Sequence, residues 1–313
     1  MLTYLLAIRL KILDEQDHRS AQQAQTPSGV GLAFMLFFLS DSSGEAFHFV
    51  LPALIVVSLV GFLDDYRPLF WPLRAGVHLL CCVYVIWITD FPVVNLLGQD
   101  IDLGWFGSVL CVLGLLWLLN LYNFMDGIDG IAGSPVVCVL VLGVFITPYL
   151  DVEAVPQPII VLFAACAGFF VINWLKALAF MGDTGIGVLG LVFGVIVVTE
   201  TMLSLWSWLI LLGSFICYSS VTILTRLIRT ENILEAHSQH FYQHLNRTVG
   251  AQKTLFGFLL VNLYWLFPLA FLTRNYQELG VILLVLAYAL LVIFQYYYGA
   301  GQPTPRLIFG KQN

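Results

Sequence analysis

The chain has 313 residues, 60% hydrophobic and only 10% charged, with a formal net charge of −6 and a mean hydropathy of +0.91. Soluble domains carry roughly 25% charged residues. This chain therefore lacks the polar side chains to cover a water-facing surface, which excludes a soluble domain on a single anchor.

A bilayer core of about 30 Å needs about 20 apolar residues per helical span. Apolar runs between polar breaks predict spans at 1–13, 28–40, 46–63, 73–89, 104–120, 133–149, 157–174, 185–199, 204–224, 254–272 and 277–298. The expectation is an all-α, polytopic membrane helix bundle of about 11 (10–11) spans. Residues 1–10 are apolar but short, with no basic segment before them, and do not read as a signal peptide. No soluble domain interrupts the chain, so 1–313 reads as one domain. Its loops on one side fall at about 11–27, 61–74, 120–132, 173–185 and 226–253.

Basic residues mark the cytosolic side of a membrane protein. With these spans, Arg9, Lys11, Arg19, Arg67, Arg74, Lys176, Arg226, Arg229, Arg247, Lys253, Arg306 and Lys311 share one face. Arg274 alone lies opposite. That segregation predicts an N-terminus outside and a C-terminus inside. The opposite loops carry short acidic caps such as Asp41, Asp90, Asp100 and Asp151. The six cysteines all fall in apolar runs without a CxxC pair and read as buried hydrophobes.

Four polar clusters interrupt the apolar pattern on the basic side. The first, at 61–68, places Asp64 and Asp65 directly after a long apolar span. Adjacent acids suit a helix C-terminus poorly, because the dipole there disfavours negative charge. The second, at 120–130, sets Asn120, Asn123 and Asp126 three residues apart, on one face of a helix. Gly127 and Gly130 then permit a turn that aims Asp126 and Asp129 together. These oxygen donors are of the kind that Mg²⁺ prefers.

The third cluster runs from Asn173 to Gly185. Asp183, between Gly182 and Thr184-Gly185, reads either as a metal ligand beside phosphate-facing N–H groups or as the cap of the next helix. Phe180 offers a ring on which a base can stack. In the fourth, His237, His240 and His244 are spaced to share a helical face, with Arg247 after them. A transition-metal site lacks an obvious fourth ligand there, and binding of phosphate by His and Arg reads equally well.

The segments GFLDDYRP, NLYNFMDGIDG, AFMGDTG and HSQHFYQ, in that order between helices, resemble the polyprenyl-phosphate N-acetylhexosamine-1-phosphate transferases. The resemblance covers about residues 11–250. It implies transfer of a sugar 1-phosphate from a UDP-N-acetyl sugar to undecaprenyl phosphate in the bacterial cytoplasmic membrane, with release of UMP and a need for Mg²⁺ or Mn²⁺. By motif position, Asp183 resembles the family's magnesium ligand, with Asp126 beside it. Asp64 and Asp65 resemble the pair near the lipid phosphate. Asn120, Asn123, Asp126, Asp129, Asn173 and Gly182 resemble donor contacts, and Phe180 the ring that stacks on uracil. His237, His240 and Arg247 resemble diphosphate contacts.

The spacing HxxHxYQ is closer to O-antigen-initiating members than to the peptidoglycan enzyme. The implied partners are the UDP-sugar, undecaprenyl phosphate and membrane lipid, with no nucleic acid and a homodimer left open. Gln22 and Ser28 stand where the family usually has His and Arg, Lys176 where it has Pro, and Ile186 follows Gly185 in place of the usual Gly-Ser pattern. Two alternatives of other classes are a lipid-linked sugar flippase, which would carry paired charges near the bilayer midplane, and a UDP-sugar-binding relative without turnover.

Overall fold

The structure, a computed structural model, describes residues 13–14, 26–27, 45–89, 93–125, 131, 139, 141, 157–176, 181–199, 203–232 and 237–305. The helices are α1 (Glu45–Tyr66), α2 (Trp71–Thr89), α3 (Gly104–Met125), α4 (Gln157–Lys176) and α5 (Gly182–Thr199), then α6 (Leu205–Leu211), α7 (Gly213–Ile228) and α8 (Phe241–Val249). The chain continues through α9 (Ala251–Val261), α10 (Phe267–Asn275) and α11 (Gly280–Tyr298). Among the described residues, six helices are long and apolar enough to cross a membrane, or seven if the bent pair α6–α7 counts as one. The protein is an all-α polytopic membrane protein. The expected spans at 1–13, 28–40 and 133–149 fall almost wholly outside the described residues.

Two short antiparallel ladders accompany the helices. In the first, β1 (Leu13–Asp14) pairs with β2 (Thr26–Pro27), which brings together the two ends of the loop expected at 11–27. In the second, β3 (Val94–Leu96) and β4 (Gln99–Ile101) form a hairpin whose turn carries Leu97 and Gly98 at positive φ. Trp206 at the start of α6 donates its indole N–H to the Asn95 carbonyl at 2.7 Å, fixing that hairpin to the bundle.

The centre of the bundle is α5, buried along nearly its whole length between α1 and α3. Small residues let helix backbones approach where no hydrophobic gain separates helix from lipid. A Cβ on Gly187 would stand 2.9 Å from Val57 Cγ1, and one on Gly190 would stand 3.0 Å from the Leu119 Cα. On Gly194 it would meet the Leu115 side chain. Leu119 opposite Gly190 and Leu115 opposite Gly194 define an antiparallel register. Continued toward the start of α5, it sets Thr184 level with Met125, the last residue of α3.

Two expected spans are not simple helices. The run at 204–224 breaks at Leu212, where α6 and α7 meet at a bend of 66°. The Tyr288 hydroxyl donates to the Leu209 carbonyl at 2.7 Å, four residues before Gly213, and its ring occupies the space a Gly213 side chain would need. A side chain inserted against the carbonyl ladder is a recognised cause of helix kinks. The run at 254–272 carries a π turn at Asn262–Leu266 before Pro268, which has no N–H to continue the ladder. Inside this apolar layer Asn262 donates to Ser214 at 3.0 Å, so the irregular turn and the bent helix satisfy each other.

Candidate active site

The site begins with Gly61. A Cβ there would lie 2.6 Å from the Thr184 Cα and N, so only glycine lets α1 cross the start of α5 this closely. One turn later, α1 delivers Asp64 and Asp65 to the N-terminus of α5. Gly182, at φ 69°, turns the chain into that helix through a conformation side chains disfavour.

Asp65 takes the cap. Its Oδ1 accepts the Asp183 N–H at 2.8 Å, and its Oδ2 accepts the Thr184 N–H at 3.1 Å and the Thr184 hydroxyl at 2.6 Å. The first N–H groups of a helix have no partner within it, and a carboxylate also suits the positive end of the dipole. The alternative in which Asp183 or Thr184 caps α5 by itself is therefore replaced by a cap from another helix.

Freed from capping, Asp183 meets Asp64 through Arg74. The Arg74 Nη1 donates to Asp183 Oδ2 at 3.0 Å and also to Asp64 Oδ2. The other Asp64 oxygen accepts the Leu69 N–H at 2.6 Å. Carboxylates from α1 and α5 thus converge on one cation supplied by α2. Sequence reasoning counted Arg74 only as a basic loop residue. The missed signal was a lone Arg within an otherwise uncharged apolar helix, where a charge is costly without partners.

The second cluster lies at the adjoining end of α3. Asn120 donates back to the Leu116 carbonyl at 2.7 Å, and Asn123 is half-buried in the last turn of the helix. Asp126, Asp129 and Phe180 lie outside the described residues, as do Gln22, Ser28 and the side chain of Asn173. Ile186 is buried within α5.

The histidine segment corrects the sequence reading. Residues 237–240 are not helical and α8 starts at Phe241, so His237, His240 and His244 do not share a helical face. The reason is local capping: the Gln243 side chain reaches back to accept the His240 N–H at 3.0 Å, which starts the helix there.

His240 is buried between Phe124 and His237, with ring centroids 5.6 and 4.7 Å away. Tyr242 donates to the Phe124 carbonyl at 2.9 Å, so this loop is fastened to the same end of α3 that carries Asn123. Burial depresses the His240 pKa to about 4, a hydrogen bond to the Tyr218 backbone opposing it, so this ring is neutral at pH 7. His244 is also pushed down by burial, and its Nε2 lies 3.0 Å from the Gln302 carbonyl. Arg247 donates to the Ser238 carbonyl at 2.9 Å, holding the loop's shape.

Half-buried His237 faces a polar cavity of about 600 Å³, lined also by Arg226, Glu231, Ser238, Gln239 and Pro303. Arg226 pairs with Glu231 at 3.1 Å, and hydrogen bonds from Arg229 and then Arg226 hold that carboxyl below its usual range. Pro303 belongs to a turn after α11 that sequence reasoning assigned no role. The Gly301 N–H of that turn donates to the Gln239 carbonyl at 3.0 Å.

An apolar crevice of about 400 Å³ opens between α7, α8, α9 and α11, with Tyr218, Phe241, Phe258, Trp265 and Phe294 in its walls and Lys253 at its lining. Among the described residues, no group of three or more His, Cys, Asp and Glu side chains is arranged around a metal position. The donor set nonetheless fits a hard divalent cation, because two carboxylate oxygens from separate helices already accept from a single cationic nitrogen.

Residues 47–201 match glycosyl transferase family 4. A phospho-N-acetylmuramoyl-pentapeptide-transferase of Synechococcus sp. (strain JA-2-3B'a(2-13)) is 30% identical over 262 residues, covering 77% of this chain and 70% of the relative. The chain belongs to glycosyl transferase family 4. The enzyme of the same description from Streptococcus pneumoniae serotype 2 (strain D39 / NCTC 7466) is 26% identical over 208 residues, 58% of this chain. The matched part spans 63% of that relative's length. The family match contains Asp64, Asp65, Arg74, Asn123 and Asp183, whereas the histidine loop and the apolar crevice lie beyond it.

Proposed function

We propose that this family 4 chain transfers an N-acetyl-sugar 1-phosphate from a UDP-sugar to undecaprenyl phosphate, at the cytosolic face of the bacterial cytoplasmic membrane. The observation that carries the reading is the convergence of Asp64, Asp65 and Asp183 from two helices at one end of an apolar bundle. The names of the relatives support a phospho-sugar transfer, and the segregation of basic residues supports a cytosolic site.

A lipid phosphate oxygen attacks the β-phosphorus of the donor. The bond from that phosphorus to the bridging oxygen breaks, and UMP leaves with the electron pair. Both partners are anionic, so charge neutralisation and alignment dominate the barrier. Asp64 and Asp183 would hold Mg²⁺ or Mn²⁺, which when bound neutralises diphosphate charge and orients it. Asp65, with both oxygens accepting from the first turn of α5, positions Asp183. A phosphate monoester is already mostly dianionic at pH 7, its second pKa being about 6, so no strong base is required.

Asn123, with Asp126, Asp129, Asn173 and Phe180, would hold the nucleotide. His237 on the polar cavity would contact the diphosphate, backed by His240. The crevice with Lys253 in its lining suits an isoprenoid chain. The HxxHxYQ spacing supports an O-antigen-type donor, whereas the named relatives point to a muramoyl-pentapeptide donor, and the assay must include both.

The test is UMP release by purified protein in detergent, with undecaprenyl phosphate, Mg²⁺ and a panel of UDP-N-acetyl sugars that includes the muramoyl pentapeptide. Lipid-dependent release with one donor, abolished by chelation and by Asp183→Ala, is the expected result. UDP-sugar binding by folded protein with no release from any donor would replace the transferase reading with a binding role.

A further inference from the structure

Asp64 Oδ2 and Asp183 Oδ2 are the oxygens that the Proposed function assigns to a divalent cation, and the inference rests on that reading. The same two oxygens are the ones occupied by Arg74 Nη1. The remaining oxygen of Asp64 is committed to the Leu69 N–H, and both oxygens of Asp65 are committed to α5. A metal bridging Asp64 Oδ2 and Asp183 Oδ2 would take the position that Arg74 Nη1 holds between them, so Arg74 cannot keep both contacts.

We propose that Arg74 is a resident counter-ion that fills the metal position of Asp64 and Asp183 and is displaced when the divalent cation enters. Asp64 and Asp183, brought together by the packing of α1 on α5, would repel when both are ionised. Arg74 removes that repulsion while the metal is absent, and it lowers the apparent metal affinity by the same competition. The planar guanidinium, once released, remains tethered beside the site with donors suited to a phosphoryl group. The role is one of positioning and exchange, distinct from ligating the metal.

The test measures Mn²⁺ binding by EPR on the full-length protein in detergent, without substrate, for wild type, Arg74→Gln, Arg74→Lys, Arg67→Gln and Asp183→Asn. Arg67 is exposed in the turn between α1 and α2, so its neutralisation reports the general effect of removing a nearby positive charge. Exchange predicts about tenfold tighter Mn²⁺ binding by Arg74→Gln, equivalent to about 1.4 kcal/mol. It predicts a smaller gain for Arg74→Lys and a change within about twofold for Arg67→Gln. Mn²⁺ should also raise the melting temperature of Arg74→Gln more than that of wild type.

Binding by Arg74→Gln no tighter than wild type, or an equal gain in Arg67→Gln, overturns the exchange. If Arg74→Gln does not fold, Arg74→Lys decides: it must bind more tightly than wild type. Wild-type binding unaffected by Asp183→Asn would instead remove the metal assignment itself.

Discussion

The Asp65 carboxylate accepts both the backbone N–H and the hydroxyl of Thr184, at 3.1 and 2.6 Å, across 119 positions of sequence. The first turn of α5 is therefore built by α1. The Asp183 carboxylate is left to meet Arg74 because the helix it begins is capped by another residue.

Asp65→Ala should leave the N–H groups of Asp183 and Thr184 without their acceptor and lower stability by about 2 kcal/mol. Asp65→Asn retains one acceptor oxygen and should lose less. Thermal unfolding in detergent orders the three proteins, and equal stability for Asp65→Ala and wild type would show that the cap contributes nothing. UMP release should fall in both variants, because Asp183 loses its fixed position.

Gly61→Ala is the sharper geometric test. Its methyl would meet backbone atoms of Thr184 at 2.6 Å, and backbone cannot rotate away. The helices must part, at roughly 1–3 kcal/mol of stability. A misplacement of about 1 Å can lower turnover about 100-fold. A stable variant with wild-type kcat would refute the dependence of the site on this contact.

The buried His240 makes a pH prediction with a definite sign. Its folded pKa of about 4 lies below its ordinary value of 6.5, because burial disfavours the imidazolium. The unfolded chain therefore binds more protons, so stability is fully present above pH 6.5 and declines as pH falls from 6.5 toward 4. His244 is shifted in the same direction. Melting temperature measured from pH 8 to pH 4 should fall less steeply for His240→Gln than for wild type. Parallel curves would show that His240 does not contribute to the acid loss.

The crevice reading can be separated from the donor reading by Gly257→Leu. Gly257 lines the crevice, and a Cβ there meets nothing within 4 Å, so the larger side chain enters open space. Leucine also favours the helix over glycine by about 0.8 kcal/mol. The expected result is a KM for undecaprenyl phosphate raised about tenfold, the equivalent of about 1.4 kcal/mol, with the KM for the UDP-sugar unchanged. An unchanged lipid KM would place the isoprenoid chain elsewhere.

Much of this organisation was legible along the chain. Composition and the recurring apolar runs predict a polytopic membrane bundle, and six helices among the described residues are long and apolar enough to cross a membrane. The spans at 46–63, 73–89 and 104–120 appear as α1, α2 and α3, each a few residues longer than its apolar run. The spacing NxxNxxDGIDG and the FMGD segment carried the family resemblance. The histidine helix was misread because spacing cannot tell a helical face from an extended loop when Gln243 starts the helix at Phe241.

Local hydrophobicity therefore determined that this is a polytopic membrane protein and which polar clusters interrupt its apolar runs, and the motifs in those clusters carried the family resemblance. Only the tertiary structure decided what those polar residues do. Asp65 caps α5, Asp183 is released from capping, Arg74 joins it to Asp64, and Tyr288 bends α6 against α7. Each of these contacts joins residues at least ten positions apart, and most join residues from helices far apart in the chain. Those at the start of α5 depend on the close approach of helices at Gly61 and Gly190, and that of Tyr288 on Gly213, distances in space that no local periodicity records.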